Sequence, residues 1–363
     1  MTLERFNQLV TLLDIQVDHK QSARSTSGNG PIIPQVVVAI GIRYLAGSAN
    51  NDLCHLYGLS ETSLTTSINK FLAAVVNCRS LWIELPKTQQ ELNNLSAGFN
   101  NASTALGIYK GAIGAIDGWM VPIHKPKTKC VPNTGDYFNG RYNCYGLNVI
   151  AVCDINLKFI YCSVAGTGRT NDNRALNNLT DLQEFMSKLP KHYYIIGDNA
   201  FTLTNKMLIP YSGPQKREKA KDTYNYYLSQ LRIRIEMAFG RMSTKWRIFR
   251  RKLDVDLEKC SMIINAAMML HNFVIEDETG PGWGNGNPKN HVDTQQQFGV
   301  DPLPAIDGII EEDNNGFVPI PLEHTIEVEY DVTQSGGRRE FILSRIQEEQ
   351  LGRPNHNIAR NNT

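Results

Sequence analysis

Two rhythms divide the chain. Through the first hundred residues apolar positions return every three or four residues, the period of a helix with one buried face. From about Gly107 they run together or alternate, the habit of strands. "MTLERFNQLVTLLDIQVDHK" has an amphipathic pattern, and its acids and lack of a small-residue cleavage site argue for a surface helix rather than a secretory leader. "PQVVVAIGIRYLAG" predicts a second helix. In "NDLCHLYGLSETSLTTSINKFLAAVVN" a short helix ends near Gly58 and another starts at Ser60, with Ser60 and Thr62 as candidate caps and Leu64, Ile68, Phe71 and Leu72 as the apolar stripe.

That last spacing resembles a helix-turn-helix, whose second helix could enter a major groove. It offers only Lys70 as a base, which favours a plain helical scaffold over a DNA reader. "PKTQQELNNLSAGFNNAS" is polar and reads as the passage into the strand-rich region. There "GAIGAID" runs into Asp117, "YGLNVIAVCD" and "KFIYCSVAG" form a hairpin across "DINL", and "HYYIIGD" runs into Asp198; a helix after "NDNRALNNL" precedes the last of these. A long helix follows in "YNYYLSQLRIRIEMAFGRMSTKWRIF", with Leu228, Leu231, Ile235, Ala238 and Met242 facing the core and Glu236 just off that stripe. "CSMIINAAMMLHNFVIED" is an apolar closing helix, and "GGRREFILSRIQEEQLG" a small terminal one. The class is α/β, an α+β mixed sheet, in three parts: a helical region over 1–106, a sheet-centred domain over 107–275, and a linker with a helix over 276–363.

Composition adds limits. The 363 residues are 41% hydrophobic and 20% charged, and no apolar run reaches the roughly 20 residues of a membrane span, so no membrane is expected. Seven scattered cysteines without a C-x-x-C pair argue against a zinc site or disulfide framework and fit a reducing compartment. The net charge of +1 conceals two opposed blocks. Lys206–Lys252 holds thirteen Lys/Arg against three acids; Glu276–Tyr330 holds twelve acids against one Lys and reads as an acidic linker. Either block is a solvated surface unless a polyanion partner is implied.

Chemistry supplies that implication. Asp117 and Asp198 each finish an apolar run, and Glu236 lies at the edge of a helix stripe. One aspartate after a strand is commonly a turn or cap, as Asp154 in the hairpin turn and Asp181 on an exposed helix illustrate. Several acids gathered at a sheet edge repel one another, and a cation or a proton must relieve them. Mg²⁺ or Mn²⁺ suits such oxygen donors and keeps room for phosphate, and two ions together promote in-line displacement at a phosphodiester. The basic segment around Glu236 would then hold a nucleic-acid backbone.

"AIDGWMVPI", "GTGRTNDNRAL", "IIGDNAF", "RIRIEMAFGRMSTKWRIF" and "MLHNFV", in that order, resemble the DDE endonuclease domain of PIF/Harbinger transposases and their domesticated nuclease-like relatives over roughly residues 35–275. The resemblance implies an RNase H-like nuclease domain over 107–275, with Asp117, Asp198 and Glu236 catalytic and these together with Asp172 holding two divalent ions. The alternative for Asp172 is a helix cap beside the site. Arg174, Arg232 and Arg241 would face phosphate or brace the carboxylates, and Lys216, Arg217, Lys219, Lys245 and Arg247 would add to the DNA surface. Trp119, Asn173, Asn199 and Phe201 depart from the family pattern without removing a ligand. The implied partners are DNA, at transposon ends and target, and a separate Myb-like protein that aids recognition and nuclear import, with self-association left open. The acidic linker and terminal helix are candidate places to meet that partner, or else a spacer and a solvated helix.

Other residues invite a bland reading beside a sharp one. His124, Lys125, Lys127 and Lys129 form a basic loop or a phosphate contact; His271 reads as a core histidine; Trp246, Tyr224, Tyr226 and Tyr227 fill space or stack on bases. A non-cutting DNA- or chromatin-associated protein on the same fold is the competing expectation, disfavoured because nothing but catalysis requires a repulsive set of acids. A haloacid dehalogenase-type phosphatase lacks its second aspartate at Trp119, and no G-x-x-x-x-G-K-S/T loop appears.

Overall fold

The computed structural model describes residues 1–16, 31–105, 107–279 and 336–353. Most of the acidic linker lies outside them. Helices α1 (Leu3–Leu13), α2 (Pro34–Leu45), α3 (Asn50–Tyr57) and α4 (Glu61–Asn77) form where the three-four periodicity places them. Gly58, at φ +62°, ends α3 in the left-handed conformation that glycine adopts without strain, and the Ser60 hydroxyl caps α4 by accepting the Ser63 N–H at 3.2 Å. Thr62, the other candidate cap, lies inside α4. Gly41 of α2 lets the ring of Phe71 in α4 lie flat against the helix backbone, where any side chain would collide.

The polar stretch before the sheet is not a simple connection. It forms α5 (Gln89–Ala102), opened by a capping box in which Thr88 and Glu91 satisfy each other's backbone N–H groups, and it buries Leu92 and Phe99. Then come β1 (Ala112–Pro122), β2 (Phe138–Asn139), β3 (Cys144–Cys153), β4 (Phe159–Thr167), α6 (Asp172–Asn177), α7 (Thr180–Lys188), β5 (Tyr194–Ile196), β6 (Met207–Leu208), α8 (Lys219–Lys245), α9 (Leu257–Thr279) and α10 (Gly337–Glu348).

The strands build one mixed sheet in the order β4-β3-β1-β5-β6, β2 pairing with the first residues of β3. β3 runs antiparallel to both β1 and β4, while β5 and β6 run parallel to β1. This is the RNase H-like arrangement. Ala115, Val121, Val149 and Ala151 face a core shared with α8, α9 and the N-terminal helices; Ile113, Ile116, Ile150 and Val152 face a second core under α6 and α7. β3 is buried on both faces, which explains its nearly unbroken apolar run.

Two side chains of α9 lock the β3–β4 hairpin. His271 Nε2 lies 2.8 Å from the Leu157 carbonyl, and Asn272 both donates to the Phe159 carbonyl (2.7 Å) and accepts its N–H (2.8 Å), as a neighbouring strand would. His271 is thus a core histidine. The terminal helix is not solvated either. Ile342, Leu343 and Ile346 of α10 join the main core, and the buried Arg338 guanidinium lies 4.4 Å over the Tyr194 ring while donating to the carbonyls of Lys191 and His192. Among the described residues no helix is long and apolar enough to cross a membrane.

Candidate functional site

β1 does not end at Asp117. It continues to Pro122, so Asp117 sits mid-strand, paired with Ala151 of β3. On the other edge Ala115 is level with Ile196 of the parallel β5. β5 and its pairing stop there, and two residues further along each chain come Asp117, still in β1, and Asp198, in the segment that leaves β5. Ala115 and Ile196 both face the α8 side; the alternation in β1 turns Asp117 the same way, and the Asp198 charge reaches it. Asp198 also opens a turn, its Oδ1 accepting the Ala200 N–H at 2.8 Å. The turn and the site share one residue.

α8 crosses that face. Leu231, Ile235, Ala238 and Phe239 hold it to the core, and Glu236, beside them on the helix, is partly exposed and ion-paired with Arg232 one turn earlier. Burial and the facing Asp198 charge push the Asp117 carboxyl up to about 7; the Gly118 N–H and Arg232 pull it down, and Glu236 pushes it up again. Asp198, Glu236 and Arg232 thus all lie within electrostatic reach of Asp117.

Asp172 comes from the opposite face. It is the first residue of α6, whose cap is Asn171, accepting the Arg174 N–H at 2.8 Å. Freed from capping, the Asp172 carboxylate accepts a hydrogen bond from Asn148 Nδ2 at 2.9 Å and lies against Gly118, where a methyl group would overlap it. Its carboxyl is raised by burial, lowered by the Asn148 bond, raised by Asp198 and lowered by Arg141. Asp198 is therefore the acid that both Asp117 and Asp172 feel.

The donors suit a hard divalent cation in kind: they are all carboxylate oxygens, and Asp117 carries a charge penalty that a cation would relieve. As the side chains stand, no three His, Cys, Asp or Glu among the described residues close around one point. Glu236 Oε1 is engaged by Arg232.

The basic residues do not make one patch. Lys216, Arg217 and Lys219 are exposed at the start of α8; Lys245 and Arg247 lie at its other end, roughly 40 Å away along 27 residues, with Arg241 one turn short of that end. Arg174 is exposed on α6, two residues past Asp172. Trp246 is buried, as are Tyr224 and Tyr227, so none of the three offers a ring to a base. Asn148 went unnoticed in the sequence, although a polar residue inside a strand buried on both faces was the available signal.

Residues 116–272, which span all four acids, match the family model described as DDE superfamily endonuclease. That segment is similar to a DDE superfamily endonuclease domain. The chain is 27% identical over 259 residues to "Putative nuclease HARBI1" of Rattus norvegicus, covering 70% of this chain and 71% of that one. To the Xenopus laevis protein of the same name it is 24% identical over 263 residues, 70% and 72% of the two chains. "Protein ALP1-like" of Arabidopsis thaliana is 23% identical over 291 residues, 76% and 69% of the two. No solved structure matches.

Proposed function

We propose that this DDE domain is a divalent-metal-dependent DNA endonuclease that cuts phosphodiester bonds at transposon ends, with strand transfer as a further step. The observation that supports the proposal is the convergence of charge on Asp117: β1 and β5 run parallel and paired up to two residues before Asp117 and Asp198, and the charges of Asp198 and Glu236 both act on the Asp117 carboxyl. Asp117, Asp198, Glu236 and Asp172 would hold Mg²⁺ or Mn²⁺, as a pair of ions. Bound there, such ions supply the Lewis acidity that activates the attacking oxygen and steadies the leaving one.

The chain's own residues do the rest. Arg232, released from Glu236, faces the phosphate, and the cations at both ends of α8 grip the backbone on either side of the carboxylates by counterion release. Arg174 adds a contact on the α6 side. A Myb-like partner supplying sequence recognition and nuclear entry, and self-association of the chain, belong to the same proposal.

The test is cleavage of supercoiled and end-containing DNA by the purified full chain in Mg²⁺ or Mn²⁺, against a chelator control. Asp117→Ala, Asp198→Ala and Glu236→Ala should each abolish cutting while leaving DNA binding and thermal stability near the parent. The Arg232–Glu236 ion pair also suits a protein that binds DNA without cutting it. DNA binding with no metal-dependent cleavage, or full cleavage by Glu236→Ala, rejects the nuclease reading.

A further inference from the structure

Beyond the last β3–β4 pair, the β2–β3 hairpin holds exposed rings and cations beside one another. Tyr142 is 47% exposed and Phe138 37% exposed. The Arg141 guanidinium lies 5.5 Å from the Tyr142 ring centre, and Phe138 meets Tyr145 edge-on at 5.3 Å, with the Lys125 ammonium 6.0 Å over the latter ring. Scattered exposed apolar residues are ordinary, but here cations accompany the rings.

The hairpin tip is also built rather than slack. Asn139 Oδ1 accepts the N–H groups of Arg141 (2.9 Å) and Tyr142 (3.2 Å), while its Nδ2 donates to the Gly168 carbonyl at 2.6 Å. Gly168 in turn donates to Gly146 at 2.8 Å, and Asn148 holds both the Thr170 carbonyl and Asp172. One short segment, 168–172, thus ties the tip to the carboxylate, and the Arg141 charge reaches Asp172.

An aromatic face flanked by a cation matches the two parts of a nucleotide, a flat base and a phosphate. Bases paired inside a duplex do not present that face. We propose that Tyr142, with Arg141, receives an unpaired base beside the bond to be cut, so that the enzyme prefers DNA opened at the cut site to fully paired duplex. The inference rests on the nuclease reading, because that reading makes the carboxylates the place of cutting.

The experiment uses the full chain with oligonucleotides carrying 2-aminopurine, single-stranded or in a gapped or mismatched duplex. Affinity and base quenching are read in chelator, and cleavage separately in Mn²⁺. The wild type should bind opened DNA more tightly than duplex and quench the fluorophore. Tyr142→Ala should lose about tenfold or more of the opened-DNA affinity together with the quenching, and Tyr142→Phe should keep both. Arg141→Ala should weaken binding with a shallower salt dependence. Equal affinity and quenching in wild type and Tyr142→Ala overturn the proposal, as does a wild type indifferent to strand opening; a ring that serves a protein partner instead gives this result. Tyr142-dependent quenching without any cleavage supports the hairpin's role and sinks the nuclease reading alone.

Discussion

Trp119 lies stacked on Phe239, the ring centres 5.5 Å apart and the planes 24° from parallel, with Phe249 meeting the indole edge-on at 4.9 Å. Trp119 follows Asp117 by two positions on the same face of β1, and Phe239 follows Glu236 by three on α8. The ring contact therefore sets the height of the helix over the strand, and with it the reach of Glu236 toward Asp117. Trp119→Ala should cost about 3 kcal/mol in denaturant melts and depress cutting more than DNA binding, while Trp119→Phe should recover most of both. Unchanged cleavage in Trp119→Ala would show that Glu236 is positioned by something else.

Gly118 leaves room beside β1 for the Asp172 carboxylate. Gly118→Ala should displace Asp172, destabilise the chain by about 1–3 kcal/mol and reduce metal-dependent cutting. Combining it with Asp172→Ala should restore part of the stability but none of the activity. Purely additive losses in that double-mutant cycle would contradict the contact.

Asp117 gives the metal-free protein a pH signature. Its carboxyl titrates near 7 when folded and near 4 when unfolded, so between those values the folded chain holds a proton that the unfolded chain has released. Stability from this group is full at low pH and declines as pH rises through about 4 to 7, by about 4 kcal/mol as an upper bound. In chelator at pH 8, Asp117→Asn should melt higher than the parent. Added Mg²⁺ or Mn²⁺ should raise the melting temperature of the parent at that pH and leave the variant unmoved. A melting temperature insensitive to both changes would argue against a strained carboxylate.

Asn272 replaces a strand. Asn272→Leu leaves the N–H and carbonyl of Phe159 without their buried partners and should cost about 2–4 kcal/mol, with unfolding seen first by amide exchange in β4. Protection of the Phe159 amide equal to that of the parent would count against this role.

Asp117 and Asp198 were conspicuous in the sequence because each follows an apolar run, whereas Asp172 stands in the polar segment "GTGRTNDNRAL" and was reached only through the family resemblance. The length of β1 was not legible: Asp117-Gly118 looks like a turn, and the pairing with β3 that carries the strand through it is a long-range effect. α5 was hidden by its polarity, although Thr88 and Glu91 already spelled its capping box. β2 and β6, of two residues each, lie below what any periodicity can show. The seating of α10 rests on Arg338, whose burial depends on carbonyls more than 140 positions away in the chain.

Because the pairing with β3 carries β1 through Asp117 as far as Pro122, one wall of the cleft is an anvil: its backbone cannot yield to a ligand without disturbing that ladder. Adjustment falls to the opposing jaw, where Glu236 is held by a side-chain ion pair with Arg232 rather than by a ladder. Selection for altered ion preference should accordingly accumulate changes along the helix and spare the strand.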